Sequence, residues 1–372
     1  MKTLVWIILM LLCGLSPKAQ MDHHFGPQDP RPPRIPEALT SSSQQIATYL
    51  QQHYATEDAR IAAAYAWVTA NIDYSKDSML AINWSRNTAD KVAATLRRRK
   101  GVCDNFASLF ADILVKMSIP AFVVNGLAKA SGNTRAHSWT AVKLGSEWYL
   151  YDPTWDAGKT YKRRYYMVAP QEFITAHWPF DPLWQLLPNT VSLQQFEKGF
   201  VSVQSENTNG QLPDAVDDFL AMDSLQQLKA QEKRMRSIGL EQSHLRTWYA
   251  YNNMNIAIIL GEQDMNHYNA AVAALNKANA QLNHFIEYRN NAFKPALRDD
   301  ALPPLLEPVE GLLQNALTSV AQVSKGRENF QYDTGGLTER IVALQKKLRA
   351  QQDFLHLYLS SDAAQRQRLF YK

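Results

Sequence analysis

Cysteine is scarce. The 372 residues contain two, Cys13 and Cys103. Cys13 falls in an amino-terminal apolar stretch that reads as a removable leader, which leaves Cys103 alone. A lone thiol excludes an internal disulfide and calls for another explanation in an exported chain. It also excludes a cysteine-rich zinc site. Net charge is nearly missing too: 39 Lys+Arg against 35 Asp+Glu gives +4, and losing Lys2 and Lys18 with the leader gives 4 − 2 = +2. That balance argues against a nucleic-acid partner. No stretch after the leader reaches eighteen apolar residues, so no membrane span is expected in the mature chain. His23 and His24 stand together without further ligands spaced around them, so no metal is assigned to them.

Four segments follow from composition. Residues 1–19 have a basic start at Lys2, an apolar core over 4–15 and small or turn residues over 16–19, the pattern of a secretory signal peptide. The expected location is therefore secreted or periplasmic. Residues 20–39 form a proline-rich linker around PQDPRPPRIP, which suits neither helix nor central strand. Residues 40–204 mix helical and strand periodicities, and strand signals disappear over 205–372. The polar stretch SENTNGQLPDAVDD marks the division between these two parts.

The stretch from Arg97 to Asp156 organises the rest. Gly101 interrupts a basic run, Asp104 and Asn105 suit a helix start, and Phe106, Leu109, Phe110, Ile113, Leu114 and Met117 repeat at helical spacing. A buried helix is thus expected to open at or just after Cys103. A thiol there faces free backbone N–H groups and the positive end of the helix dipole. Both features favour a thiolate nucleophile. Residues 119–127, 137–144 and 148–152 read as three strands, the last two joined by the turn Gly145-Ser146-Glu147. Antiparallel pairing of those two would bring His137 beside Asp152. The carboxylate could then orient the imidazole next to the thiol.

These residues carry a resemblance. GVC before a helix, H-x-W on a strand and Y-D-P-T-W-D are similar to the transglutaminase-like superfamily, whose core is papain-like. The likeness runs over about 59–187 and takes in AWVTANIDYS and AHWPFDPLWQLL, both similar to bacterial members and to the kyphoscoliosis-peptidase-like group. It implies an α+β fold with the nucleophile helix packed on an antiparallel sheet, followed by an all-α domain. It further implies Cys103 as nucleophile, His137 as general base and Asp152 as its orienting carboxylate. The expected activity is cysteine-dependent acyl transfer through a thioester on a protein or peptide substrate, with hydrolysis preferred. Protein cross-linking, or a non-catalytic binding role on the same scaffold, are the alternatives. No cofactor or metal is required.

Other features receive more modest roles. Trp67, Asn71 and Tyr74 are candidates for a second oxyanion donor. His177 and Trp178 are assigned to packing at the domain edge, a second catalytic histidine being the lesser reading. Arg97-Arg98-Arg99-Lys100 and Lys162-Arg163-Arg164 read as solvated charge, or as a basic rim to the cleft. Residues 165–168 are expected to add a strand beside Asp152. Beyond 210, helices are expected over 216–235, 243–260, 265–293, 305–323 and 337–358, separated at Gly261, Pro295 with Pro303-Pro304, and Gly335-Gly336. His244, His267 and His284 are read as surface or interhelix groups. The helical part is expected to bind a partner protein, position substrate or cover the cleft.

Overall fold

A computed structural model describes residues 32–75, 87–130, 133–158, 163–199, 211–324 and 332–370. The leader, most of the proline-rich linker, Cys13, His23-His24, Lys162 and much of the polar stretch near 205 lie outside the described residues. The chain divides into two compact units, Met1–Asp218 and Phe219–Lys372.

The first unit opens with α1 (Ser43–His53), started by Ser42, whose hydroxyl accepts from the Gln45 amide. Next come α2 (Glu57–Asn71), the two-residue strand β1 (Asp73–Tyr74), α3 (Thr88–Arg98) and β2 (Lys100–Gly101). Strands β1 and β2 pair in parallel, Tyr74 opposite Gly101. Helix α4 (Cys103–Lys116) follows at once. Its apolar repeat buries Phe106, Leu109, Phe110, Ile113 and Leu114 with Tyr65, Trp67 and Val68 of α2. This is the helix periodicity of the sequence realised as one core.

The sheet that α4 covers has the order β5-β4-β3-β6 and is antiparallel throughout. It comprises β3 (Ala121–Ala130), β4 (Asn133–Leu144), β5 (Glu147–Tyr151) and β6 (His177–Pro179). The Thr140 hydroxyl of β4 donates to the Ala107 carbonyl of α4 at 3.3 Å, tying strand to helix. Gly126 of β3 allows β6 to close in. A Cβ there would lie 2.2 Å from the Trp178 carbonyl oxygen and 2.5 Å from the Trp139 ring. The short helices α5 (Pro170–Phe173) and α6 (Leu193–Lys198) flank the edge. Residues 165–168 make no strand: they touch β5 through an isolated bridge, Leu150 to Val168, and an Asp152 N–H to Tyr165 carbonyl bond of 2.9 Å.

The second unit is helical: α8 (Ser224–Ser237), α9 (Ser243–Asn290), α10 (Glu307–Ala321), α11 (Thr334–Leu359) and α12 (Ala363–Leu369), with α7 (Gln211–Ala221) crossing the division. Two expected boundaries are corrected here. Gly261 does not end a helix, and α9 runs through it for 48 residues. A single interior glycine costs about 1 kcal/mol of helix propensity, which packing along so long a helix outweighs. Gly335 and Gly336 lie inside the first turn of α11, where the Asp333 side chain accepts from the Gly336 amide at 2.8 Å. In the opposite sense, the segment 216–235 is split at Asp223, which caps α8 by accepting from the Gln226 amide. The mixed helix-and-sheet core followed by a helical region agrees with the α+β class inferred from sequence.

Candidate functional site

Cys103 occupies the first position of α4, and local chemistry explains why the chain turns there. The Val102 N–H donates to the Asn105 side-chain oxygen at 3.0 Å, while the Asn105 amide nitrogen donates to the Thr95 hydroxyl at 2.9 Å. Asn105 therefore starts α4 and ties it to α3. Gly101 is the residue that fits before it, since a Cβ would fall 2.4 Å from the Asn105 Cβ. Cys103 is buried, at 6% exposure, and is a free thiol. The N–H groups of Cys103 and Asp104 lie in the first turn, where amides have no intrahelical acceptor.

His137 lies on β4 with its side chain 9% exposed. Its Nε2 is 2.7 Å from Asp152 Oδ2. Its other ring nitrogen is thereby left on the side of Cys103, whose thiol is close enough to raise the proton affinity of the ring. Burial disfavours charge on the ring. The charge and hydrogen bond of Asp152, followed by the Cys103 contact, outweigh that and push the His137 pKa up to about 10. Trp155 stacks at 5.1 Å between ring centroids and limits how the imidazole can turn.

Asp152 is fully buried, one residue beyond β5. The Y-D-P-T-W-D motif builds its surroundings. Oδ1 accepts from the Thr154 and Trp155 amides at 2.9 and 3.2 Å. Asp156 accepts from the Tyr65 hydroxyl and the Tyr165 amide, both at 2.8 Å, and Tyr65 also donates to the Asp152 carbonyl. The turn is thus anchored to α2. Burial opposes the Asp152 charge, but His137 and His177 hold it well below the usual carboxylate range.

His177 packs at the sheet edge, as the sequence suggests, and does more than pack. It stacks on Phe173 at 3.9 Å. Its Nε2 lies 3.0 Å from Asp152 Oδ2, the same oxygen that meets His137. Pairing of β6 with β3, His177 opposite Ala128, brings it in from 25 residues further along the chain. The hint in the sequence was a histidine inside a short aromatic strand, a weak signal without the pairing. Burial, together with the positive charge of His137, pulls the His177 pKa down to about 4 despite the Asp152 hydrogen bond.

Of the three oxyanion candidates, Tyr74 comes to the site. Its phenol is shifted upward by burial and then by the nearby Cys103 and Asp152 charges, with Arg135 opposing. Trp67 is buried beneath the Arg99 guanidinium, and the Asn71 side chain donates to the Trp67 carbonyl at 2.8 Å. The basic run is largely solvated, with Arg97, Arg98 and Lys100 exposed as expected. Arg97 and Arg98 occupy the last turn of α3, where cations complement the helix dipole, and Arg99 donates to Thr40.

His137, Asp152 and His177 also offer ligand-type atoms that all lie within 4.8 Å of one another. Two imidazoles and a carboxylate can hold a divalent ion. Here the separations of 2.7 and 3.0 Å are those of N–H···O bonds. An ion would have to displace both protons, so the set is described by its hydrogen bonds.

Residues 44–153 match the model of the transglutaminase-like superfamily. The chain is 29% identical over 175 residues to the human kyphoscoliosis peptidase, covering 42% of this chain and 26% of that one. It is 27% identical over 173 residues to the Lim and transglutaminase domain protein ltd-1 of Caenorhabditis elegans, covering 39% and 23%. The chain therefore spans about a quarter of the length of these curated relatives. A solved TGase structure overlaps 37% of this chain and 36% of its own, at 20% identity and a TM-score of 0.26.

Proposed function

Residues 44–153 form a domain of the transglutaminase-like superfamily, and from that premise we propose that this protein is an exported, cysteine-dependent acyl-transfer enzyme that hydrolyses peptide or amide bonds. The observation carrying this reading is the single chain of contacts Cys103–His137–Asp152, with 2.7 Å between His137 Nε2 and Asp152 Oδ2. Export rests on the leader-like residues 1–19.

In the proposed reaction the Cys103 sulfur attacks the substrate carbonyl carbon, and the oxyanion is met by first-turn amides of α4. Tyr74 is the side chain assigned to assist. Collapse breaks the C–N bond, His137 gives its proton to the departing nitrogen, and a thioester remains. His137 then takes a proton from water as that water attacks the thioester, which releases acid and restores the thiol–imidazole pair. Asp152 stays ionised throughout and stabilises imidazolium. Water is the proposed acceptor, and a lysine amine is the alternative that the identity of the product separates from it.

The test compares wild type, Cys103→Ala and His137→Ala. Iodoacetamide should label wild-type Cys103 at pH 6 much faster than a free thiol of pKa about 8.5, and His137→Ala should lose that advantage. A peptide library should yield cleaved products with wild type and none with Cys103→Ala. Ordinary thiol titration in all proteins would overturn the reading. Glutamine–lysine isopeptides as the Cys103-dependent product would replace hydrolysis by transamidation.

A further inference from the structure

Among the buried ionisable side chains that the proposed chemistry leaves unused, His177 is the one that touches its machinery. His177 is 1% exposed, and its Nε2 shares Asp152 Oδ2 with His137 Nε2 at 3.0 and 2.7 Å. The other carboxylate oxygen already accepts two backbone amides. Each carboxylate oxygen offers about two lone-pair sites, so the two imidazoles complete the coordination of Asp152. For that to hold, His177 must carry its hydrogen on Nε2. Its Nδ1 lacks a well-formed hydrogen bond, although the Phe173 carbonyl lies on that side.

The ring is held against rotation. Phe173 stacks at 3.9 Å, and Trp155, Trp139 and Tyr165 surround it with centroids at 4.5, 5.1 and 5.7 Å. The titratable groups facing it are Asp152, His137 and Tyr165. Strand β6 is itself locked to β3 by the Phe180 N–H to Asn125 carbonyl and the Lys129 N–H to Ala176 carbonyl, both 2.9 Å. A side chain this confined fixes the position of whatever it bonds.

We propose that His177 is a positioning residue for Cys103 chemistry: as a neutral Nε2–H donor it fixes Asp152 Oδ2, and through that oxygen sets the orientation and proton affinity of His137. The inference rests on Cys103 being the nucleophile. Physically, each hydrogen bond donated to a carboxylate stabilises its charged form and lowers its proton affinity, so Asp152 shared between two donors holds each less tightly. His177 thereby keeps His137 able to release its proton to a leaving group, while preventing the carboxylate from rotating away. A second cationic imidazole on the same oxygen would repel the first, so the donor has to be neutral.

The test uses the full chain carrying His177→Phe, which keeps the stacking but removes the donor, and His177→Gln, which supplies a neutral N–H. The rate of Cys103 alkylation by iodoacetamide is followed from pH 5 to 10, alongside wild type and His137→Ala. With one donor left, Asp152 should hold the His137 proton more tightly, so the alkaline limb of the His177→Phe profile should move to higher pH by about one to two units, the size expected from one hydrogen bond to a charged group. His177→Gln should stay within about threefold of wild type with the limb restored. A His177→Phe profile matching wild type, or His177→Gln failing as badly as His177→Phe, overturns the proposal. If wild type shows no His137-dependent enhancement, the nucleophile reading fails and this proposal with it. Intact enhancement with an unchanged His177→Phe profile removes the role of His177 alone. Should His177→Phe not fold, nitrogen-15 spectra of wild-type histidines decide. His177 should stay neutral and protonated on Nε2 at pH 7, and a cationic ring there overturns the proposal.

Discussion

The two units bury polar groups for different ends. In the sheet-bearing unit Asp152, Asp156, His177, Asp181 and Gln185 are all buried, and His177 meets His137 on the Asp152 carboxylate. The helical unit buries Asn252, Asp264 and Gln351 at separate points. Each of these joins two segments: Asn252 donates to the Leu228 carbonyl, Asp264 accepts from the Ser324 amide, and Gln351 accepts from Arg289. Burying a polar group costs free energy unless it is hydrogen-bonded. In the helices that cost is offset by fastening chain to chain. Around Asp152 it produces two imidazoles with displaced proton affinities, the condition in which buried groups serve chemistry.

The largest expected test of this contrast is pH. His137 is raised from 6.5 to about 10, so its contribution is complete below pH 6.5 and is lost as pH rises toward 10. His177 is lowered from 6.5 to about 4, so stability falls as pH drops from 6.5 toward 4. Asp152, depressed further, adds a loss below its unfolded value of about 3.9. Stability of the sheet-bearing unit should therefore peak near pH 6.5 and decline on both sides, by a few kcal/mol at the extremes. Urea titrations of the full chain at several pH values, read by tryptophan fluorescence, check this. Asp152→Asn should flatten the alkaline decline. A flat profile for wild type would break the contrast.

Core truncation in the helical unit comes next. Leu282 of α9 is fully buried among Leu313, Leu337 and Phe285 in the same cluster. Leu282→Ala should destabilise that unit by about 2–5 kcal/mol, with Cys103 alkylation rates unchanged. Loss of labelling in the folded variant would show that the helical unit completes the site. Gly126→Ala tests the sheet from the other direction, because the added methyl meets the Trp178 and Pro179 backbone at 2.2 and 2.7 Å. Overpacking should cost about 1–3 kcal/mol and should slow labelling by moving β6 and His177. The smallest effect is expected at Asp333, which caps α11. Asp333→Ala should cost about 1 kcal/mol, measured by urea denaturation, and leave the pH profile intact.

Elements with strong local signals were legible. The start of α4 at Cys103 was written in Gly101, Asp104, Asn105 and the following apolar repeat. The β4–β5 turn at Gly145, with a φ of 61°, is local as well. These depend on contacts within a few residues, where spacing is informative. Gly261 misled because a helix-weakening residue carries no mark of the packing that overrides it.

The sequence by itself determined the lone thiol, its place at a helix N-terminus, and a histidine and an aspartate on successive strands of one hairpin. Tertiary structure decided that Asp152 Oδ2 meets two imidazoles rather than one, that Tyr74 pairs opposite Gly101, two residues before Cys103, and that β6 returns to the edge of β3. The difference is one of range. Helix starts and hairpins follow from residues a few positions apart, whereas His177 reaches Asp152 through a strand pairing that needs Gly126 for close approach, and nothing within the local periodicity of 177–179 encodes it.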